Sequence, residues 1–231
     1  MLTKNTGKSL IKYVPNYVLF DLETTGISCK TDEVVEISAL KVENGLVVDE
    51  FSTLVNPGIP IPYYASEVNG ITDDMVADAP GFVTVLAEFA AFAGDEILVG
   101  HNINSFDMKF IQRDAEKYFG KVFGNDYIDT LVLARAYLPE LSHHTLSDLA
   151  RYYHISTKGA HRALNDCKMN QRIFESLKEE MEDPAKAVKK CPKCGNLLKK
   201  RNGKFGEFYG CMSYPDCKYT ENIVSGTPKF V

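Results

Sequence analysis

No apolar run in this sequence approaches the roughly 20 residues that a helix needs to cross a bilayer, so a helical membrane span is excluded. The opening stretch, MLTKNTGKSLIKYV, lacks the apolar core of a secretory signal, and a cytoplasmic location is the expectation. Without export, the cysteines have no oxidising compartment in which to pair as disulfides. There is no internal repeat and no low-complexity segment. Positive charge is in deficit overall: 26 Lys and Arg stand against 31 Asp and Glu, for a net −5.

The deficit is local. Residues 1–180 hold 16 basic and 26 acidic side chains, a balance of −10, whereas residues 181–231 hold 10 and 5, a balance of +5. An acidic body with a basic tail points to a tail that seeks an anionic polymer. The six cysteines divide the same way. Cys29 and Cys167 stand alone, and Cys191, Cys194, Cys211 and Cys217 crowd the tail, which reads as a metal site.

Strand signals dominate early, at Tyr17–Phe20, Glu33–Val42 and Leu46–Val55, with Asn44-Gly45 as a hairpin turn between the last two. Ile97–Val99 is a short apolar strand of a sheet centre. Helical spacing follows: Phe82, Val85, Leu86, Phe89 and Ala90 form one apolar stripe. Helices are also expected over Asp107–Tyr118, Thr130–Tyr137 and Ala163–Met181, and a capping box at Thr145 to Asp148. An early hairpin followed by alternating helices and strands predicts an α/β fold, a mixed sheet with helices on both faces. The expected division is a body over 1–182, a polar linker over 183–190 and a small cysteine-rich unit over 191–222.

Three fragments carry the chemistry. In "FDLETTGI" a buried strand runs into Asp21 and Glu23, which share one face because strand side chains alternate. "LVGHNINSFDMKFI" leads an apolar strand through His101 and Asn102 into a helix at Asp107, and "GAHRALNDCKMN" sets His161 five residues before Asp166. Each is weak alone; their order and separation are specific. From about Pro15 to Met181 the chain resembles the DnaQ-like 3′→5′ exonucleases of the DEDDh type. That resemblance implies an RNase H-like fold, with Asp21, Glu23, Asp107 and Asp166 as ligands of two Mg²⁺ or Mn²⁺ ions and His161 as general base. It also implies Thr24 and Thr25 as contacts to the terminal nucleotide, and 3′→5′ polarity. Arg162 and Cys167 depart from the family's common Gly and Ala. Four acids in one cleft would repel and raise one another's pKa, and hard divalent cations relieve this. Asn102 reads equally as a substrate-backbone contact or a loop cap. Leu22 and Phe106 are expected in the core, and His101, His143, His144 and His154 as structural or surface residues.

The tail, "CPKCGNLLKKRNGKFGEFYGCMSYPDCKYT", has the spacing C-x2-C, sixteen residues, C-x5-C, which fits a tetrahedral zinc site of four cysteine thiolates. Its Cys191-Pro192, Cys194-Gly195, 203–206 Gly-Lys-Phe-Gly and Tyr214-Pro215 fragments resemble the zinc ribbons of type IA DNA topoisomerases. That resemblance implies binding of single-stranded DNA. Lys199, Lys200, Arg201 and Lys204 suit phosphates, and Phe205, Phe208, Tyr209 and Tyr214 suit base stacking or the small core. The expected function is 3′→5′ removal of nucleoside 5′-monophosphates from single-stranded DNA, with a replication or repair polymerase as a partner. RNA trimming and non-catalytic nucleic-acid binding remain as the alternatives.

Overall fold

The structure, a computed structural model, describes residues 6–158 and 161–223. Five strands form the main sheet: β1 (Tyr17–Thr24), β2 (Val34–Glu43), β3 (Leu46–Leu54), β4 (Leu98–Gly100) and β5 (Tyr127–Asp129), in the order β3-β2-β1-β4-β5. The β1–β2 and β2–β3 pairs are antiparallel; β1–β4 and β4–β5 are parallel. Asn44 and Gly45 both take positive φ, 52° and 78°, as a tight hairpin turn between twisted strands requires. The short helices α1 (Tyr63–Asn69) and α2 (Asp73–Val76) cap the sheet beside β2. The longer α3 (Phe82–Ala93) and α4 (Asp107–Phe119) cover one face. Helices α5 (Thr130–Tyr137), α6 (Leu146–Tyr152) and α7 (Ala163–Glu182) cover the other.

Alternation along β1 sorts its residues between the two cores. Val18, Phe20 and Leu22 pack with Phe82, Leu86, Phe89 and Phe110, while Tyr17 and Leu19 pack with Leu133, Leu149, Ile173 and Phe174. Asp21 and Glu23 continue the Tyr17–Leu19 side, so they emerge on the face that α7 covers. Farther along α7, Glu175 accepts hydrogen bonds from the hydroxyls of Tyr13 (2.7 Å) and Tyr17 (2.6 Å), which fixes the helix to the sheet. The capping box at the start of α6 is present in both directions, Thr145 Oγ1 accepting from Asp148 N–H and Asp148 Oδ2 from Thr145 N–H. No described helix is long and apolar enough to cross a membrane.

The tail forms a second, three-stranded sheet, β6 (Leu198–Gly203), β7 (Gly206–Cys211) and β8 (Thr220–Asn222). It is docked on the body. Leu197 is buried in the same cluster as Tyr17 and Phe174, with Val188 packed against it, and Lys190 Nζ donates to the Ile11 carbonyl at 3.0 Å. Segment 183–190 holds a 3₁₀ turn, and its Lys186 is paired with Glu180 and lies 3.8 Å from Glu140. Residues 8–10 lie along β5, Leu10 N–H donating to the Tyr127 carbonyl at 2.8 Å, so the exposed edge of that strand is covered.

Candidate active site

Asp21, Glu23 and Asp166 each bring a carboxylate oxygen within 4.8 Å of the other two. The strand supplies two of them from one face, and the first turn of α7 supplies the third. Asp107 opens α4 and lies just outside this trio. It is buried, and its Oδ1 accepts the Leu22 N–H at 3.1 Å. Burial raises the Asp21 carboxyl well above the ordinary range, and Asp107, Glu23 and Asp166 push it further. Burial, then Asp166 and Glu36, lift Glu23 to about 8. Burial brings Asp107 to about 7, although backbone N–H donors oppose it. Such a group of hard oxygen donors, costly to ionise together, fits divalent cations of the Mg²⁺ or Mn²⁺ kind.

His161 precedes α7 in the left-handed region, φ 68°, and its backbone N–H donates to Asp166 Oδ2 at 3.1 Å. His161 is exposed, and burial raises the Asp166 carboxyl, opposed by the His161 backbone N–H and its nearby side chain.

Glu36 was not singled out in the sequence, yet it sits directly across the ladder from Glu23. Its buried carboxylate accepts from Arg162 Nε (3.2 Å) and Nη2 (2.7 Å) and from the Ala163 N–H (3.1 Å). It thereby ties the N-terminus of α7, and with it Asp166, to the sheet that holds Asp21 and Glu23. Arg162, the departure from the family's Gly, is the other half of this clamp. Cys167 also fits its buried place, its Sγ donating to the Ser38 carbonyl at 3.3 Å. Glu36→Gln keeps the shape but not the charge. It should lower kcat by about 10–100-fold, as loss of a group orienting a ligand does. It should also cost roughly 2 kcal/mol of stability. Steady-state kinetics and a thermal melt check both.

Thr24 is still in β1, and its hydroxyl donates to the Gly26 carbonyl at 2.6 Å. Thr25 is fully buried, and its hydroxyl accepts the Glu33 N–H at 3.0 Å. Thr25 therefore closes the turn through its buried side chain. Arg113, without any signal in the sequence, pins the 26–33 loop through the carbonyls of Cys29 (2.8 Å) and Asp32 (2.7 Å) and the carboxylate of Glu33 (2.6 Å). The backbone of Asn102, at φ 62°, is a loop cap, its N–H donating to Asp129 Oδ1 at 3.0 Å. Asp129, also unread in the sequence, accepts from Leu131 and Val132 as well, fixing that loop to α5. His101 Nδ1 meets Thr130 Oγ1 at 3.0 Å, and burial lowers the His101 pKa to about 4.

In the tail the four Sγ atoms of Cys191, Cys194, Cys211 and Cys217 lie within 4.8 Å of one another, which fits one tetrahedral zinc. Strand register sorts the remaining side chains. Leu198, Lys200 and Tyr209 share the face that carries Cys211, and Tyr209 packs against the cysteine cluster. Lys200 is paired with Glu207 at 2.7 Å. The opposite face presents Lys199, Arg201 and Phe208, and Phe205 is 98% exposed at the tip beside Lys204. Tyr209 is thus half-buried against the cysteine cluster on one face, and Phe208 is half-buried on the other. Phe205, Phe208 and Tyr214 remain on accessible surface.

Comparison with known proteins agrees with this geometry. A family model described as "Exonuclease" matches residues 18–174, and one described as "Topoisomerase DNA binding C4 zinc finger" matches residues 188–226. The DNA polymerase III subunit epsilon of Aquifex aeolicus is 40% identical over 165 residues, which cover 71% of this chain and 81% of that one. The PolC-type DNA polymerase III of Caldanaerobacter subterraneus subsp. tengcongensis is 39% identical over 178 residues, 77% of this chain but only 13% of that protein's length. Among solved structures, exonuclease X in complex with 5′-overhanging duplex DNA has a TM-score of 0.61 at 27% identity, covering 73% of this chain and 95% of that one. E. coli exonuclease I with single-stranded DNA, at 17% identity and a TM-score of 0.64 over 75% of this chain and 42% of that one, shares the fold. The chain therefore belongs to the DnaQ-like exonuclease family, and it carries a topoisomerase-type C4 zinc ribbon after its exonuclease domain.

Proposed function

We propose that the chain is a cytoplasmic 3′→5′ exonuclease that releases nucleoside 5′-monophosphates from single-stranded DNA, with a body over 1–182 and a ribbon over 191–222 that holds the strand. The observation that carries this is the convergence of Asp21, Glu23 and Asp166 with Asp107 buried beside them. These acids would hold two Mg²⁺ or Mn²⁺ ions. Bound divalent cations supply Lewis-acid stabilisation of the charge that builds on the phosphoryl and leaving oxygens. The exposed His161 imidazole takes a proton from the water that attacks phosphorus. The P–O3′ bond breaks as the new P–O bond forms, and the departing 3′ oxygen is protonated from solvent. Asp166 orients the His161 segment through its backbone N–H. In the ribbon, Lys199, Arg201 and Lys204 meet phosphates while Phe205, Phe208 and Tyr214 stack on bases. The match to a DNA-binding zinc finger favours DNA over RNA, and relatives named as polymerase III subunits support a replication or repair polymerase as a partner. Matched 5′-labelled DNA and RNA strands test the substrate. Faster shortening of DNA is expected, and faster trimming of RNA would make the chain an exoribonuclease.

The raised carboxyls also set a stability signature. Below the ordinary carboxylate pKa both folded and unfolded chains are protonated and nothing is lost. As pH rises, the unfolded chain ionises first, and stability falls until the folded acids ionise, near the values of about 7 and 8 for Asp107 and Glu23. The Mg²⁺-free, zinc-loaded protein should therefore melt lower at about pH 8.5 than at about pH 5.5. Added Mn²⁺ should raise Tm more at the higher pH, by on the order of 5 °C. Calorimetry at both pH values checks this.

A further inference from the structure

An open cleft of about 440 Å³ between α5 and the segment that opens α6 is lined by Asn102, Arg135, His143 and Thr145 among others. Asn102 belongs to the loop that leaves β4, the strand beside β1, and leads within five residues to Asp107. One loop therefore lines the cleft at Asn102 and ends at Asp107. The cleft's charge is opposite to its surroundings. In the body, whose residues 1–180 carry a net −10, Arg113, Arg162 and Lys168 are engaged by carboxylates. Arg135 is exposed and has no hydrogen-bond or ion-pair partner among the described residues. The side-chain amide of Asn102 is free in the same sense, although its backbone is committed to Asp129. A free guanidinium, a free amide and an exposed imidazole on one cleft offer donors that no acceptor engages among the described residues.

We propose that this cleft binds an internal phosphodiester of the substrate strand, upstream of the scissile bond, with Arg135 as the charge and Asn102 and His143 as hydrogen-bond donors. The inference rests on the exonuclease reading above and adds a contact that only a polymer can make. An acidic body repels a polyanion, and an unpaired cation on the cleft offsets that repulsion where the strand lies. The cleft therefore selects strands over mononucleotide esters.

The test compares a 20-nucleotide single strand with the p-nitrophenyl ester of thymidine 5′-monophosphate, which has no upstream phosphate, using the full zinc-loaded chain. Arg135→Gln should raise KM for the strand about five- to tenfold with kcat changed less than about twofold. The slope of log affinity against log salt should become shallower by about 0.7, the single-strand value for one phosphate. Arg135→Lys should restore most of the loss, because a point charge serves a phosphate. The ratio of kcat/KM for strand over ester should fall with the strand. An unchanged strand KM, or a parallel loss on both substrates, would overturn the proposal. If the wild type cleaved neither substrate, the exonuclease reading would fail on its own. Anisotropy of a labelled strand would then decide the cleft, an affinity lowered by Arg135→Gln upholding it and an equal affinity removing it.

Discussion

Asp21→Asn should leave less than about one thousandth of the wild-type rate of strand shortening, and it should make the metal-free protein more stable at about pH 8.5. The two effects have one cause. Asp21 lies at the centre of the acid group, and Asp107, Glu23 and Asp166 all push its carboxyl up on top of burial. An uncharged amide of nearly the same shape removes one member of that repelling set, so the fold gains on the order of 1–3 kcal/mol when no cation offsets the charge. That corresponds to roughly 3–8 °C in Tm for a domain of this size. The same change removes a hard anionic donor. Because groups that act as a unit fail together, the rate collapses. Kinetics and calorimetry on one preparation measure both. A variant that lost activity and also lost stability would mean that Asp21 is held by interactions other than its fellow acids.

Cys191→Ser should unfold the ribbon and raise KM for long single strands more than about tenfold, with kcat changed less than about threefold. The ribbon buries little besides Cys191, Leu198 and Cys211, so zinc supplies its folding free energy, on the order of 10 kcal/mol or more. The consequence does not stop at the ribbon. Leu197 reaches into the cluster of Tyr17 and Phe174, and losing it should cost the body roughly 2–3 kcal/mol. The body should therefore melt about 5 °C or more below the wild type, which a ribbon on a free tether would not cause. Unchanged KM on long strands after loss of zinc would remove the ribbon from substrate binding.

Much of this was legible in the sequence, for physical reasons. Residues 17–24 show a strand in which period-2 alternation alone sends Asp21 and Glu23 to one face, and Asn44-Gly45 announces the hairpin by its need for positive φ. The capping box at Thr145 is equally local. Asp107, His161 and Asp166 needed the family resemblance, because no local rule brings three distant segments to one strand end. Glu36 left a trace, an acid inside the apolar run Val34-Val35-Glu36-Ile37, and a buried carboxylate must find donors. Arg113 left none, since the loop it pins, through two carbonyls and Glu33, is far away in the sequence. Strand β5, three residues long, and helices α1 and α2 are too short for a periodic signal. Which ribbon aromatic covers the zinc core depends on register, and Tyr209 falls opposite Lys200 on the cysteine face only once the hairpin is formed.

The most direct measurement is a time course on 5′-labelled single-stranded DNA with Mg²⁺ or Mn²⁺, wild type beside Asp21→Asn. A ladder that shortens one nucleotide at a time from the 3′ end, releases 5′-monophosphates and is absent in the variant is the predicted result. Intact strands under wild-type protein that nevertheless binds them, or a ladder that persists in Asp21→Asn, would contradict the account.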